Sequence, residues 1–106
     1  MIDEIKLGQV SHKGSRAAEL LGEGSVFNDA CADLENRCME QWRNAKAFET
    51  AEREDAWRTI KALDAVRTLL KAYVINGRIA ASDLVHHYES TERARKARRK
   101  PVVKSI

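Results

Sequence analysis

Apolar residues between Thr50 and Gly77 recur at Ala56, Ile60, Leu63, Val66, Leu70 and Tyr73, in steps of 4, 3, 3, 4 and 3. That spacing is one face of a 3.6-residue helix, and Trp57, Leu69 and Val74 widen it. The segment has its own start and stop signals. The Thr50 hydroxyl can accept from an unpaired N–H of the first turn. Glu52, Glu54 and Asp55 then place negative charge at the positive end of the helix dipole. Asn76-Gly77 predicts the end of the helix, because glycine takes up the left-handed C′ conformation without a Cβ clash. Glu54 with Arg58 and Asp64 with Arg67 are spaced as local ion pairs. The predicted rod is about 40 Å long at 1.5 Å per residue.

A second pattern precedes it. Ser25 is placed to cap a helix over Val26–Asn44, with Phe27, Ala30, Cys31, Leu34, Cys38, Gln41, Trp42 and Ala45 at steps of 3 and 4, or adjacent. A short connection at Ala45–Glu49 favours antiparallel packing of the two helices. Phe27 would then lie near Tyr73 and Val74, and Trp42 near Trp57, with both tryptophans in the core. The expected class is all-α: a long antiparallel helical hairpin, Val26–Asn44 and Ala51–Asn76, with short flanking helices and a basic C-terminal arm.

The flanks carry weaker patterns. Met1–Val10 reads equally as a short helical turn or an extended arm, and Ser11–Ser15 as a loop containing Gly14. Ser15 is placed to cap a short helix over Arg16–Leu21, which Gly22 and Gly24 end in a hinge. After Gly77, Ile79 suits the apolar contact of a glycine-terminated helix, and Ser82 or Asp83 can cap a further helix from Leu84. Pro101 is expected to end any helix by residue 100, and Val102, Val103 and Ile106 could form a short extended hook into a groove. The chain thus divides into an arm and short helix (1–24), the hairpin (25–77), a short helix (78–92) and a basic tail (93–106).

Composition narrows the picture. A chain of 106 residues holds one domain at most, and its 33% charged residues and single proline favour helix over sheet. No apolar run is long enough to span a membrane, and Asp3 and Glu4 interrupt any secretory leader, so the expected place is a cytoplasm or an assembly built in one. Charge is unevenly spread. Residues 1–92 hold 12 Lys and Arg against 16 Asp and Glu, whereas residues 93–106 hold seven basic residues and no acid.

Candidate chemistry is sparse. Cys31 and Cys38 share a helix face about 10 Å apart, too far for a disulfide, and match no zinc spacing, so they read as buried apolar residues. His12 falls in the predicted loop, and the adjacent His86 and His87 diverge by about 100° on a helix and chelate one metal poorly. Gly22-Glu-Gly24 joins no strand to a helix and is no phosphate cradle, and no serine lies in a nucleophile elbow. The expectation is a non-enzyme with no cofactor, metal or small-molecule substrate.

The basic run is the sharper signal. Arg93, Arg95, Lys96, Arg98, Arg99 and Lys100 can neutralise phosphates and gain affinity through counterion release. No aromatic residue interleaves them, so base stacking is not indicated. The same run equally fits an acidic protein surface, and a solvated tail is the third reading.

From Val26 onward the chain resembles a group of short helical proteins of tailed bacteriophages and prophages, encoded among genes for head assembly and DNA packaging. The resemblance rests on VF-x2-A-x3-LE (Val26–Glu35), Trp42, ERED-x-W-RTIKALDAVRTLL (Glu52–Leu70) and NGRIA-x2-DL (Asn76–Leu84), about half of the chain. These are packing residues, so no site residue is carried over, and the basic end lies outside the shared pattern. The resemblance implies a virion or assembly component assembled in the host cytoplasm. The leading expectation is a phage structural protein acting in many copies, self-associating through Trp57, Ile60, Leu63, Leu70 and Tyr73 and contacting other virion proteins. The alternatives are a nucleic-acid-binding or regulatory module using the basic tail, and an assembly chaperone that leaves before maturation.

Overall fold

In the computed structural model, which describes residues 3–99, three helices make up nearly all of the described residues: α1 (Glu4–Leu21), α2 (Val26–Asn44) and α3 (Thr50–Arg99). The all-α class is as the patterns predict. The bounds of α2 are also those expected, and Ser25 caps it, its hydroxyl accepting from the Asn28 N–H at 3.0 Å.

Two helices are longer than their local signals imply. Glu4–Leu21 is one helix of 18 residues, capped by Asp3, whose carboxylate accepts from the Lys6 N–H at 3.0 Å. Gly14 and Ser15 lie inside it, so the loop over Ser11–Ser15 and the cap at Ser15 are corrected. At the other end, α3 runs 50 residues through Asn76-Gly77 to Arg99, so neither a stop at Gly77 nor a fresh start at Ser82 or Asp83 is present. Ile79 is mid-helix and 56% exposed rather than packed against a helix end. The cause is tertiary. A Cβ built on Gly77 would come within 2.8 Å of the Gly14 Cα, and one on Gly14 within 2.7 Å of the Gly77 Cα and the Tyr73 carbonyl oxygen. Gly77 is used for a close approach of α1 to α3, not for a left-handed turn.

The true breaks are the two short links. Gly22 donates its N–H to the Glu19 carbonyl, and Gly24 adopts φ +80°, the left-handed backbone that favours glycine. At the second link the Arg53 guanidinium donates to the carbonyls of Lys46 and Ala47 at 2.7 and 2.9 Å, and Glu49 accepts from the Lys46 N–H. A side chain thus closes a turn that has neither glycine nor proline.

Both shorter helices run opposite to α3. Glu35 meets Arg67 while Gln41 bonds to the Glu52 carbonyl, and Glu4 meets His87 while Gly14 meets Gly77. The α3 side of this seam runs Ala56, Ile60, Leu63, Arg67, Leu70, Val74, Gly77, Ala81, Leu84, all buried or half-buried. Its steps alternate 4 and 3, a 3.5-residue repeat like that of a left-handed coiled coil. Among the described residues the buried side chains are all small: Ala17, Cys31, Cys38, Ala56 and Ala80. Both thiols are free. The principal extents are 96 × 27 × 15 Å and the radius of gyration is 24.4 Å, against about 13 Å for a compact domain of this length.

Candidate interaction surfaces

A seam of small residues leaves much of the larger apolar area outside it. Trp42 is 55% exposed and Trp57 58% exposed, which corrects the expectation that both lie in the core. The physical reason is that Ala56 and Cys38 fill the close-packed layer, so the indoles project past it. Lys61 lies over the Trp57 ring, its Nζ 5.5 Å from the centroid. Met39 and Phe48 are exposed as well. Of the five residues expected to drive self-association, Ile60, Leu63, Leu70 and Tyr73 are half-buried along the seam, and Trp57 alone is exposed. Lys13 caps the Tyr73 ring from α1 at 4.3 Å.

A further apolar edge lies on the flank of α3, where Val66 and Leu69 are 45% and 52% exposed. Ala62, Ala65, Asn76 and Ile79 continue it, also exposed. Leu34 of α2 is exposed too. The sequence pattern does not separate this edge from the seam, because alanines shade one stripe into the next.

Polar contacts fasten the shorter helices to α3. Arg67 donates to the Glu35 carboxylate at 2.9 Å, and both side chains are partly shielded. That hydrogen bond, aided by the carboxylate charge, holds the Arg67 proton more tightly than usual, so the guanidinium stays charged at any working pH. Arg67 therefore reaches across to α2 rather than back to Asp64, whereas Arg58 does pair locally with Glu54 and Asp55, each at 3.3 Å. At the far end Glu4 meets His87 at 2.7 Å, with the Tyr88 hydroxyl at 3.5 Å from the same carboxylate. His86 points elsewhere, to Glu89 at 4.0 Å, so the neighbouring histidines face different partners.

An open groove of about 370 Å³ between α1 and α3 has Leu21, Val74 and Ile75 along it and Lys71 and Arg78 beside them. Among the described residues no three His, Cys, Asp or Glu side chains gather as metal ligands. Arg93, Arg95, Lys96 and Arg98 project from the last turns of α3 and are exposed, with Arg95 3.8 Å from Glu92. Arg99 closes α3, and Lys100 lies outside the described residues together with the Pro101 stop and the hook at Val102, Val103 and Ile106. No described helix is long and apolar enough to cross a membrane. No protein-family model matches this chain, and neither does any curated protein or solved structure.

Proposed function

We propose that the protein is a non-enzymatic structural or assembly component of a tailed-bacteriophage particle, working in several copies at the head, portal or head–tail region. In this reading an antiparallel helical hairpin is the packing unit. Its ends contact neighbouring copies and other virion proteins, and assembly takes place in the host cytoplasm.

The observation that carries the reading is the set of large apolar side chains left exposed on a slender rod of large total surface. The surface is 8735 Å², where a monomeric globular protein of 12.0 kDa exposes roughly 6,000 Å². Trp42, Trp57, Leu69 and Ile79 are each more than half exposed. Apolar patches of this kind mark contact surfaces. The phage setting rests on the resemblance of the helix-packing residues. The test is the solution mass of the purified chain together with capture of capsid, portal and tail proteins; mass spectrometry of purified particles separates a virion component from a chaperone that departs.

A second reading is favoured by one specific feature. Arg93, Arg95, Lys96 and Arg98 extend α3 beyond the contact of Glu4 with His87, so they are presented clear of α1. Such an arm suits phosphates, as in a nucleic-acid-binding module.

A further inference from the structure

We infer that α3 carries a second, self-complementary seam through which two copies of this chain pair antiparallel, about a two-fold axis between Leu69 and Ala72. The inference rests on the multi-copy reading above and names the surface for it. The occupant is a second copy.

Ala62, Ala65, Leu69, Ala72, Asn76 and Ile79 follow steps of 3 and 4, the same repeat as the intramolecular seam but turned away from it. Leu69 and Ile79 are 52% and 56% exposed, and neither α1 nor α2 covers them. No charge falls at these six positions over about 26 Å. The other outer flank is mixed, carrying Lys61, Asp64, Lys71 and Arg78 among the exposed Trp57, Ile75 and Val85. Beyond each end of the apolar run the repeat continues into polar residues: Asp55 and Arg58 before it, Asp83 and His86 after it.

Antiparallel pairing about the stated axis matches every layer. Leu69 meets Ala72 and Ala62 meets Ile79, so a large side chain faces a small one. Ala65 meets Asn76, where the amide lies beside a small neighbour. Arg58, which within one copy also pairs with Glu54 and Asp55, meets Asp83, and Asp55 meets His86. Arg58 and Asp83 are about 37 Å apart along their own helix, so they can meet only between copies. Val66, 45% exposed and on α3 beside this run, borders the same face.

The test is the mass of the full chain in solution, with circular dichroism to verify that each variant is folded. The wild type is expected at a multiple of 12.0 kDa, and Leu69→Glu/Ile79→Glu at half that mass or less with unchanged helicity, since both side chains face solvent within a copy. Arg58→Asp is expected to weaken association about tenfold, and Arg58→Asp/Asp83→Arg to restore it. An oligomer that tolerates Leu69→Glu/Ile79→Glu overturns this face and leaves the multi-copy reading standing. A double charge variant no tighter than Arg58→Asp overturns the register. A monomer that captures virion proteins overturns self-pairing alone, whereas a monomer that captures nothing overturns both.

Discussion

Gly14 and Gly77 meet where any side chain would strike backbone, and this sets the sign of a simple experiment. Alanine in place of a mid-helix glycine ordinarily stabilises by about 0.5–1 kcal/mol, through helix propensity. Gly8→Ala should show that gain, since a Cβ there meets nothing within 4 Å. Gly14→Ala should instead lose about 1–3 kcal/mol, because its Cβ would sit 2.7 Å from backbone atoms that cannot turn aside. Urea denaturation of the two variants reads both signs; a stabilised Gly14→Ala would mean that α1 does not approach α3 this closely. The Glu35–Arg67 bridge gives a second test at the same scale. Both groups are partly shielded, so Glu35→Ala should cost about 1 kcal/mol. Glu35→Leu/Arg67→Leu should recover the loss, because an apolar pair fits a seam whose neighbours are Leu63 and Leu70. A double variant less stable than Glu35→Ala would contradict that placement.

At the scale of elements, what was legible in the chain is what local signals control. Ser25, the apolar steps after it and the short link at Ala45–Glu49 delimit α2 without help from elsewhere. Asn76-Gly77 carries the same kind of signal and misleads, because the reason for Gly77 is a glycine 63 positions earlier in the sequence. The same partner hides α1, whose Gly14 reads as a loop residue until α3 is set beside it. Arg67 was legible as charged but not as a seam residue, since its partner lies on another helix. The basic run was legible by composition alone. The outer face of α3 was not, because Ala62, Ala65 and Ala72 are too weakly apolar to stand apart from the main stripe. For the arm, deletion of residues 93–106 should leave the helical signal of α1 and α2 in place. If the arm engages phosphates, that deletion should also abolish DNA binding that weakens steeply with salt. Salt-insensitive or unchanged binding, measured by fluorescence anisotropy, would remove the nucleic-acid reading.

For the whole molecule, the small-residue seam and the exposed flanks are one design. Ala, Gly and Cys at the buried positions let the helices lie close, which makes the rod thin. A thin rod buries little apolar area per residue, so its larger side chains remain available to neighbours. The account therefore stands or falls on association. Sedimentation equilibrium of the intact chain at micromolar concentration, with and without Leu69→Glu/Ile79→Glu, measures it most directly. The predicted result is a wild-type mass at a multiple of 12.0 kDa that falls in the variant while helicity is retained. A folded wild-type chain that stays at 12.0 kDa across the concentration range, and binds no capsid, portal or tail protein, would contradict it.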